Sequence, residues 1–135
     1  MTDNLTKLQR SRVMASIRGR NTVPELHAKY LFRKLGFSYQ PKNVFGRPDF
    51  GNKKRRIAIF IDGCFWHGCK MHYTQPASNQ KFWRDKILRN KKHDRTVNNA
   101  LRAKGWQVVR MWEHQILNQP AACAERIKLL ASTNK

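Results

Sequence analysis

The run Ile57-Ala58-Ile59-Phe60-Ile61 constrains this chain more than any other stretch. In an extended strand Ile57, Ile59 and Ile61 share one face, while Ala58, Phe60 and the following Asp62 share the other. Apolar side chains on both faces predict a central strand covered on both sides by other elements. Asp62 then stands where the buried strand meets solvent. Directly behind it comes Gly63-Cys64-Phe65-Trp66-His67-Gly68-Cys69-Lys70-Met71-His72, which packs thiols, imidazoles and large aromatics into one short loop. A buried strand delivering such side chains at its end reads as a site.

The elements around that strand follow from local signals. Thr22-Val23-Pro24-Glu25 is a capping-box pattern with proline in the first turn. It predicts a helix carrying Leu26, Tyr30, Leu31 and Leu35 and closed by Gly36. Phe37-Ser38-Tyr39 reads as a short strand. Arg47-Pro48-Asp49-Phe50, a turn at Gly51-Asn52-Lys53-Lys54, and Arg56–Ile61 read as a β-hairpin with a basic loop. From Asn79 to Ala103, the positions Trp83, Ile87, Asn90, Asp94, Val97 and Leu101 form one helical stripe facing the domain. Asp94 on that inward face requires a partner. The other faces carry Lys81, Arg84, Lys86, Arg89, Lys91, Lys92 and Arg95, a surface suited to phosphate. Gly105 closes this helix, Gln107–Trp112 is the next strand, and a last helix from about Pro120 carries Cys123, Ile127 and Leu130 on one stripe. The order αβββαβα implies a mixed central sheet flanked by helices.

Charge narrows the partner. With 28 Lys+Arg against 8 Asp+Glu and a formal charge of +20, self-repulsion opposes compactness unless a polyanion binds. The basic residues run the length of the chain, which favours a folded surface following a phosphate backbone. A structural RNA-binding protein has the same balance. Residues 1–20 are polar and basic, with Leu8, Val13, Met14 and Ile17 as their apolar set. They read either as an amphipathic leader docked on a domain spanning 21–135 or as a basic arm in a DNA groove with Met14 as a wedge. No apolar run approaches the ~20 residues of a membrane span, and no signal-peptide segment opens the sequence. The expected compartment is cytoplasmic, and three cysteines without a secretory signal suit metal ligation better than disulfides.

Cys64-x4-Cys69-x2-His72 offers three zinc ligands, and a tetrahedral structural site needs a fourth. His114, at the end of the strand Gln107–Trp112, is the chosen fourth; Cys123, on the apolar stripe of the last helix, reads as an ordinary core thiol. His67 is then a spare imidazole near Asp49 and Asp62, either a general base held by Asp94 or a non-ligating loop residue. Asp49 and Asp62 at paired strand ends make a hard-oxygen site for Mg²⁺, which polarises a scissile phosphate and water. This is the layout of the PD-(D/E)xK nucleases, except that Cys64 stands where their lysine is expected and His67 must supply its function. Glu25 reads first as a helix cap and second as a catalytic or metal-linked acid. Phe65, Trp66 and Trp83 are core aromatics or rings inserted into a base stack.

Taken together, these residues resemble the very short patch repair (Vsr) DNA mismatch endonucleases. The resemblance is carried by Met14, Glu25, Gly46-Arg47-Pro48-Asp49-Phe50 and Asp62-Gly63-Cys64-Phe65-Trp66-His67-Gly68-Cys69. It continues through Phe82-Trp83, Lys86, Asn90, Asp94, Gly105-Trp106 and Val109-Arg110-Met111-Trp112-Glu113. It implies a restriction-endonuclease-like α/β fold with structural zinc, and Mg²⁺-dependent nicking 5′ of the thymine in T·G mismatches left by 5-methylcytosine deamination. Double-stranded DNA is then the substrate of a monomer, functionally linked to a cytosine-5 DNA methyltransferase and to a repair polymerase and ligase. By the same resemblance Asp49 and the main-chain carbonyl of Ile61 bind Mg²⁺, with Asp62 a further direct or water-mediated ligand. His67 activates water with Asp94 behind it. Phe65, Trp66 and Trp83 wedge beside the mismatch, with Met14 entering from the opposite groove.

Overall fold

The structure is a computed structural model that describes residues 22–64, 68, 69 and 77–133. Two antiparallel pairings and one parallel pairing build a mixed four-stranded sheet in the order β1-β2-β3-β4, with β1 Ser38–Tyr39, β2 Phe50–Asn52, β3 Ile57–Asp62 and β4 Gln107–Trp112. The helices are α1 Val23–Arg33, α2 Gln80–Ala103, α3 Glu113–Asn118 and α4 Pro120–Thr133. The α/β class expected from the sequence is what forms. Residues 1–20, where the basic arm and Met14 lie, fall outside the described residues, as do Phe65, Trp66, His67 and His72.

The two faces of β3 do build two separate cores. Ile57 and Ile59 pack with Phe32, Phe37, Phe50, Val109, Met111, Ile116 and Ile127, and Ile61 lies against that cluster. Ala58 and Phe60 pack on the opposite face with Val44, Val97 and Leu101. Strand β3 is central because burying both faces of its apolar run removes more hydrocarbon from water than a one-sided position could. The stripe of α2 lands as expected, with Ile87, Val97 and Leu101 buried.

Four local expectations are corrected. The buried face of α1 is Glu25, Ala28 and Phe32, whereas Leu26 and Tyr30 are exposed. Phe32 wins because it reaches Phe50 edge-on at 5.3 Å and Phe37 at 6.4 Å, while Tyr30 takes the Lys34 ammonium over its ring. The first hairpin arm begins at Phe50 instead of Arg47, so Asp49 precedes β2. Phe50 pairs with Ile59, which sets position 48 opposite Ile61. Proline there has no N–H for the ladder, and pairing stops. The hairpin turn correspondingly lies at Lys53–Arg56 instead of Gly51–Lys54. Finally, Glu113–Asn118 is a helix in its own right, anchored by Ile116 in the first core and by the Trp112 amide donating to Gln115 Oε1 at 2.8 Å.

Among the described residues no helix is long and apolar enough to cross a membrane.

Candidate functional site

Parallel pairing of β3 with β4 sets Phe60 opposite Arg110 and Asp62 opposite Trp112, so both strands end together. Functional side chains gather at this carboxyl end, as in open α/β sheets generally.

Asp49 comes to the tip from the residue just ahead of β2. Its Oδ2 accepts the Ile61 amide at 2.7 Å, the hydrogen bond that a ladder partner would otherwise take. Because Pro48 stands opposite Ile61, the Ile61 carbonyl receives no amide from that position. Burial pushes the Asp49 carboxyl up to about 7, with the nearby Glu25 and Asp62 charges adding to the rise and the Ile61 amide and Arg110 opposing it. Glu25 is only 4% exposed and is likewise raised, by burial foremost. The Tyr39 hydroxyl donates to its Oε2 at 3.1 Å, and the Glu25 amide donates to Thr22 Oγ1 at 3.4 Å. The helix start and the acidic cluster therefore share this residue.

Asp62, 7% exposed, closes the second strand. Arg110 Nη1 lies 2.8 Å from Asp62 Oδ1 and 3.5 Å from Asp94 Oδ1, so one guanidinium joins the strand end to α2. Asp94, expected to need a partner on its inward face, has Arg110. The reading of Asp94 behind His67 lies outside the described residues. Arg110 was missed as a site residue because, in sequence, it is merely the polar member of an apolar strand. Its alternation with Val109 and Met111 was the available signal.

Carboxylates with raised proton affinity, beside a strand carbonyl, are a hard-oxygen donor set of the kind that takes Mg²⁺. The residues fit that cation: bound positive charge would offset the burial that chiefly raises Asp49 and the neighbouring Glu25 and Asp62 charges that add to it.

Two residues past Asp62 the chemistry changes. The ligand atoms of Cys64, Cys69 and His114 all lie within 4.8 Å of one another. His114 Nδ1 is 3.3 Å from Cys64 Sγ and 3.9 Å from Cys69 Sγ. Tetrahedral zinc, with bonds of about 2.3 Å to sulfur and 2.0 Å to nitrogen, sets ligand separations of about 3.5–3.8 Å. The donor set fits. The Cys69 amide donates to the Cys64 carbonyl at 2.8 Å, which holds the two cysteines close together. Gly68 has φ +65°, and a Cβ there would lie 2.8 Å from Ile87 Cγ2, so the loop needs glycine to close on α2. Burial pushes the Cys64 thiol up to about 11, with Glu113 and Cys69 contributing to the rise. Glu113 Oε1 also accepts the Cys64 amide at 3.1 Å, a second contact the sequence did not reveal. Cys123 sits in the first core, apart from this cluster.

Trp83 is half-buried at the start of α2, with the exposed Phe82 edge-on at 5.0 Å.

Acids massed at one end of a sheet, on a chain of charge +20, answer the needs of phosphodiester hydrolysis on a polyanion. The class these features suit is a metal-assisted nuclease. Known proteins narrow it: the family model described as DNA mismatch endonuclease Vsr matches residues 2–73. The type II nicking enzyme V.NmeDIP of Neisseria meningitidis serogroup C is 36% identical over 130 residues, covering 93% of this chain and 88% of the relative. V.NaeI, a type II nicking enzyme of Lentzea aerocolonigenes, is 41% identical over 120 residues, 84% of this chain and 72% of its own. The DNA mismatch endonuclease Vsr of Escherichia coli (strain K12) is 36% identical over 116 residues, 84% and 74% of the two chains. This chain belongs to the Vsr family, and it is a DNA nicking endonuclease.

Proposed function

We propose that the protein nicks one strand of double-stranded DNA 5′ of the thymine in T·G mismatches that arise from 5-methylcytosine deamination, in a Mg²⁺-dependent reaction. The observation that carries this is the convergence of Asp49, Asp62 and the Ile61 main chain at one strand tip, with Asp49 raised to about 7. The similarity to a protein named DNA mismatch endonuclease supports the mismatch as substrate.

In this reading Asp49, the Ile61 carbonyl and Asp62 would hold Mg²⁺. The cation would supply Lewis-acid polarisation of the scissile phosphate. His67 takes the proton of the attacking water and Asp94 orients His67, while the buried Glu25 adds negative charge beside Asp49. Trp83, with Phe65 and Trp66, opens the base stack beside the mismatch, where unstacking costs least, and Met14 enters from the arm formed by residues 1–20. Cys64, Cys69, His72 and His114 would hold Zn²⁺, which would brace the chain between Cys64 and Cys69, the segment that carries Phe65, Trp66 and His67. The single domain over 21–135 acts as a monomer in the bacterial cytoplasm, on the nucleoid. A cytosine-5 methyltransferase generates the lesion's precursor, and a polymerase and ligase repair the nick.

Matched and T·G-mismatched duplexes, each incubated with Mg²⁺ and with chelator, test the proposal. Nicking confined to the thymine strand of the mismatch is expected. Cutting of both duplexes would make this a restriction-type nuclease of matched DNA, and binding without cutting a zinc-stabilised DNA-binding module.

A further inference from the structure

Arg110 is held by more than its two acids. Its Nε donates to Asn98 Oδ1 at 2.8 Å, and its guanidinium lies over the Phe60 ring at 4.2 Å. Asn98 and Asp94 are neighbours one turn apart on α2, and Phe60 and Asp62 share a face of β3. The guanidinium therefore touches both elements twice, once through charge and once through a neutral contact. An isolated exposed ion pair would contribute little. Here the Arg110 side chain is 19% exposed, and its rigid fork is oriented by four partners.

We infer that Arg110 is a positioning residue of the nicking site, fixing Asp94 against Asp62 and limiting the negative charge that Asp62 presents to a cation. Lysine could neutralise one carboxylate but could not span Asp62, Asp94 and Asn98 at once. A phosphate-gripping role fits less well, because Nη1 and Nε already serve side chains of the protein.

The inference rests on the acidic site proposed above but not on its mismatch preference. Kinetics are therefore read on whichever duplex the wild type nicks. If the wild type nicks nothing, the proposed function fails while calorimetry with Mn²⁺ alone still tests Arg110. For Arg110→Met, kcat should fall on the order of 100-fold through misplacement of Asp94. KM and DNA affinity in Ca²⁺ should stay within about twofold, since no phosphate contact is lost. Mn²⁺ affinity should rise about tenfold, because a competing positive charge beside Asp62 is removed. Arg110→Lys should keep Mn²⁺ affinity near wild type yet recover kcat only in part. If Arg110→Met melts too low to assay, Asn98→Ala removes only the acceptor that steers Nε, and should lower kcat about fivefold at unchanged KM. A loss appearing in KM or DNA affinity, full rescue by lysine, or Mn²⁺ binding that is unchanged or weaker in Arg110→Met would overturn the inference.

Discussion

Two clusters grow from the same pair of parallel strand ends, and they differ in every property that decides what each can hold. On the oxygen side Asp62 of β3 meets Arg110 of β4, with Asp49 and Asp94 alongside. On the sulfur side Cys64, just past β3, meets His114, just past β4, with Cys69 closing the group. Each strand thus gives one residue to each cluster, two to four positions apart. The oxygen side carries its own countercharge in Arg110, and its acids suit a hard cation that keeps water. The sulfur side has the opposite neighbour: the Glu113 carboxylate works against thiolate formation. The His114 backbone opposes that rise only in part. A cation bound between the sulfurs would favour the thiolates further, and soft thiolate with imidazole selects zinc over magnesium. With the two cations proposed above, one strand tip would serve catalysis and bracing without the metals exchanging places.

That division breaks most sharply at Asp49. Asp49→Ala should lower nicking by about 10³-fold or more while DNA binding in a gel-shift assay persists, because the proposed metal ligand is lost and the basic surface is untouched. Undiminished nicking would remove Asp49 from the mechanism. Cys64→Ser probes the other side. It should lower the melting temperature by more than about 10 °C and abolish stoichiometric zinc by elemental analysis, since zinc binding contributes folding free energy. A strong chelator should lower the wild-type melting curve comparably. An unchanged curve would make the sulfur cluster peripheral.

The smallest effect is the pH response, and it belongs to the oxygen side. Asp49 is raised from 3.8 to about 7, so between those values the folded state holds a proton that the unfolded state has released. Without a divalent cation, this carboxyl's contribution to stability therefore declines as pH rises through that window, the reverse of an ordinary salt-bridged aspartate. A binding cation must displace that proton. Divalent-cation affinity measured by calorimetry should strengthen up to about tenfold per pH unit below 7 and level off above it, with proton release visible in buffers of different ionisation enthalpy. Affinity flat from pH 5 to 8 would mean that Asp49 is not a ligand.

Much of this was legible in the chain. The double-faced run at 57–61 gave β3 its central place, and the spacing from Trp83 to Leu101 gave α2 its inward stripe, because both are local periodicities that burial obeys. The Cys64–Cys69 spacing marked the sulfur loop for the same reason, being a short-range pattern. The sequence did not reveal that α1 would bury Glu25 in place of Leu26, since a carboxylate enters an apolar face only where a hydroxyl such as that of Tyr39 waits to meet it. Nor did it show the Arg110 bridge, the capture of the Ile61 amide by Asp49, or Glu113 beneath Cys64. Those contacts join residues 12 to 49 positions apart along the chain. Their partners are chosen by strand register and by where α3 begins. Composition and periodicity fix which face of an element is buried, but only the assembled sheet decides which charges meet across its end.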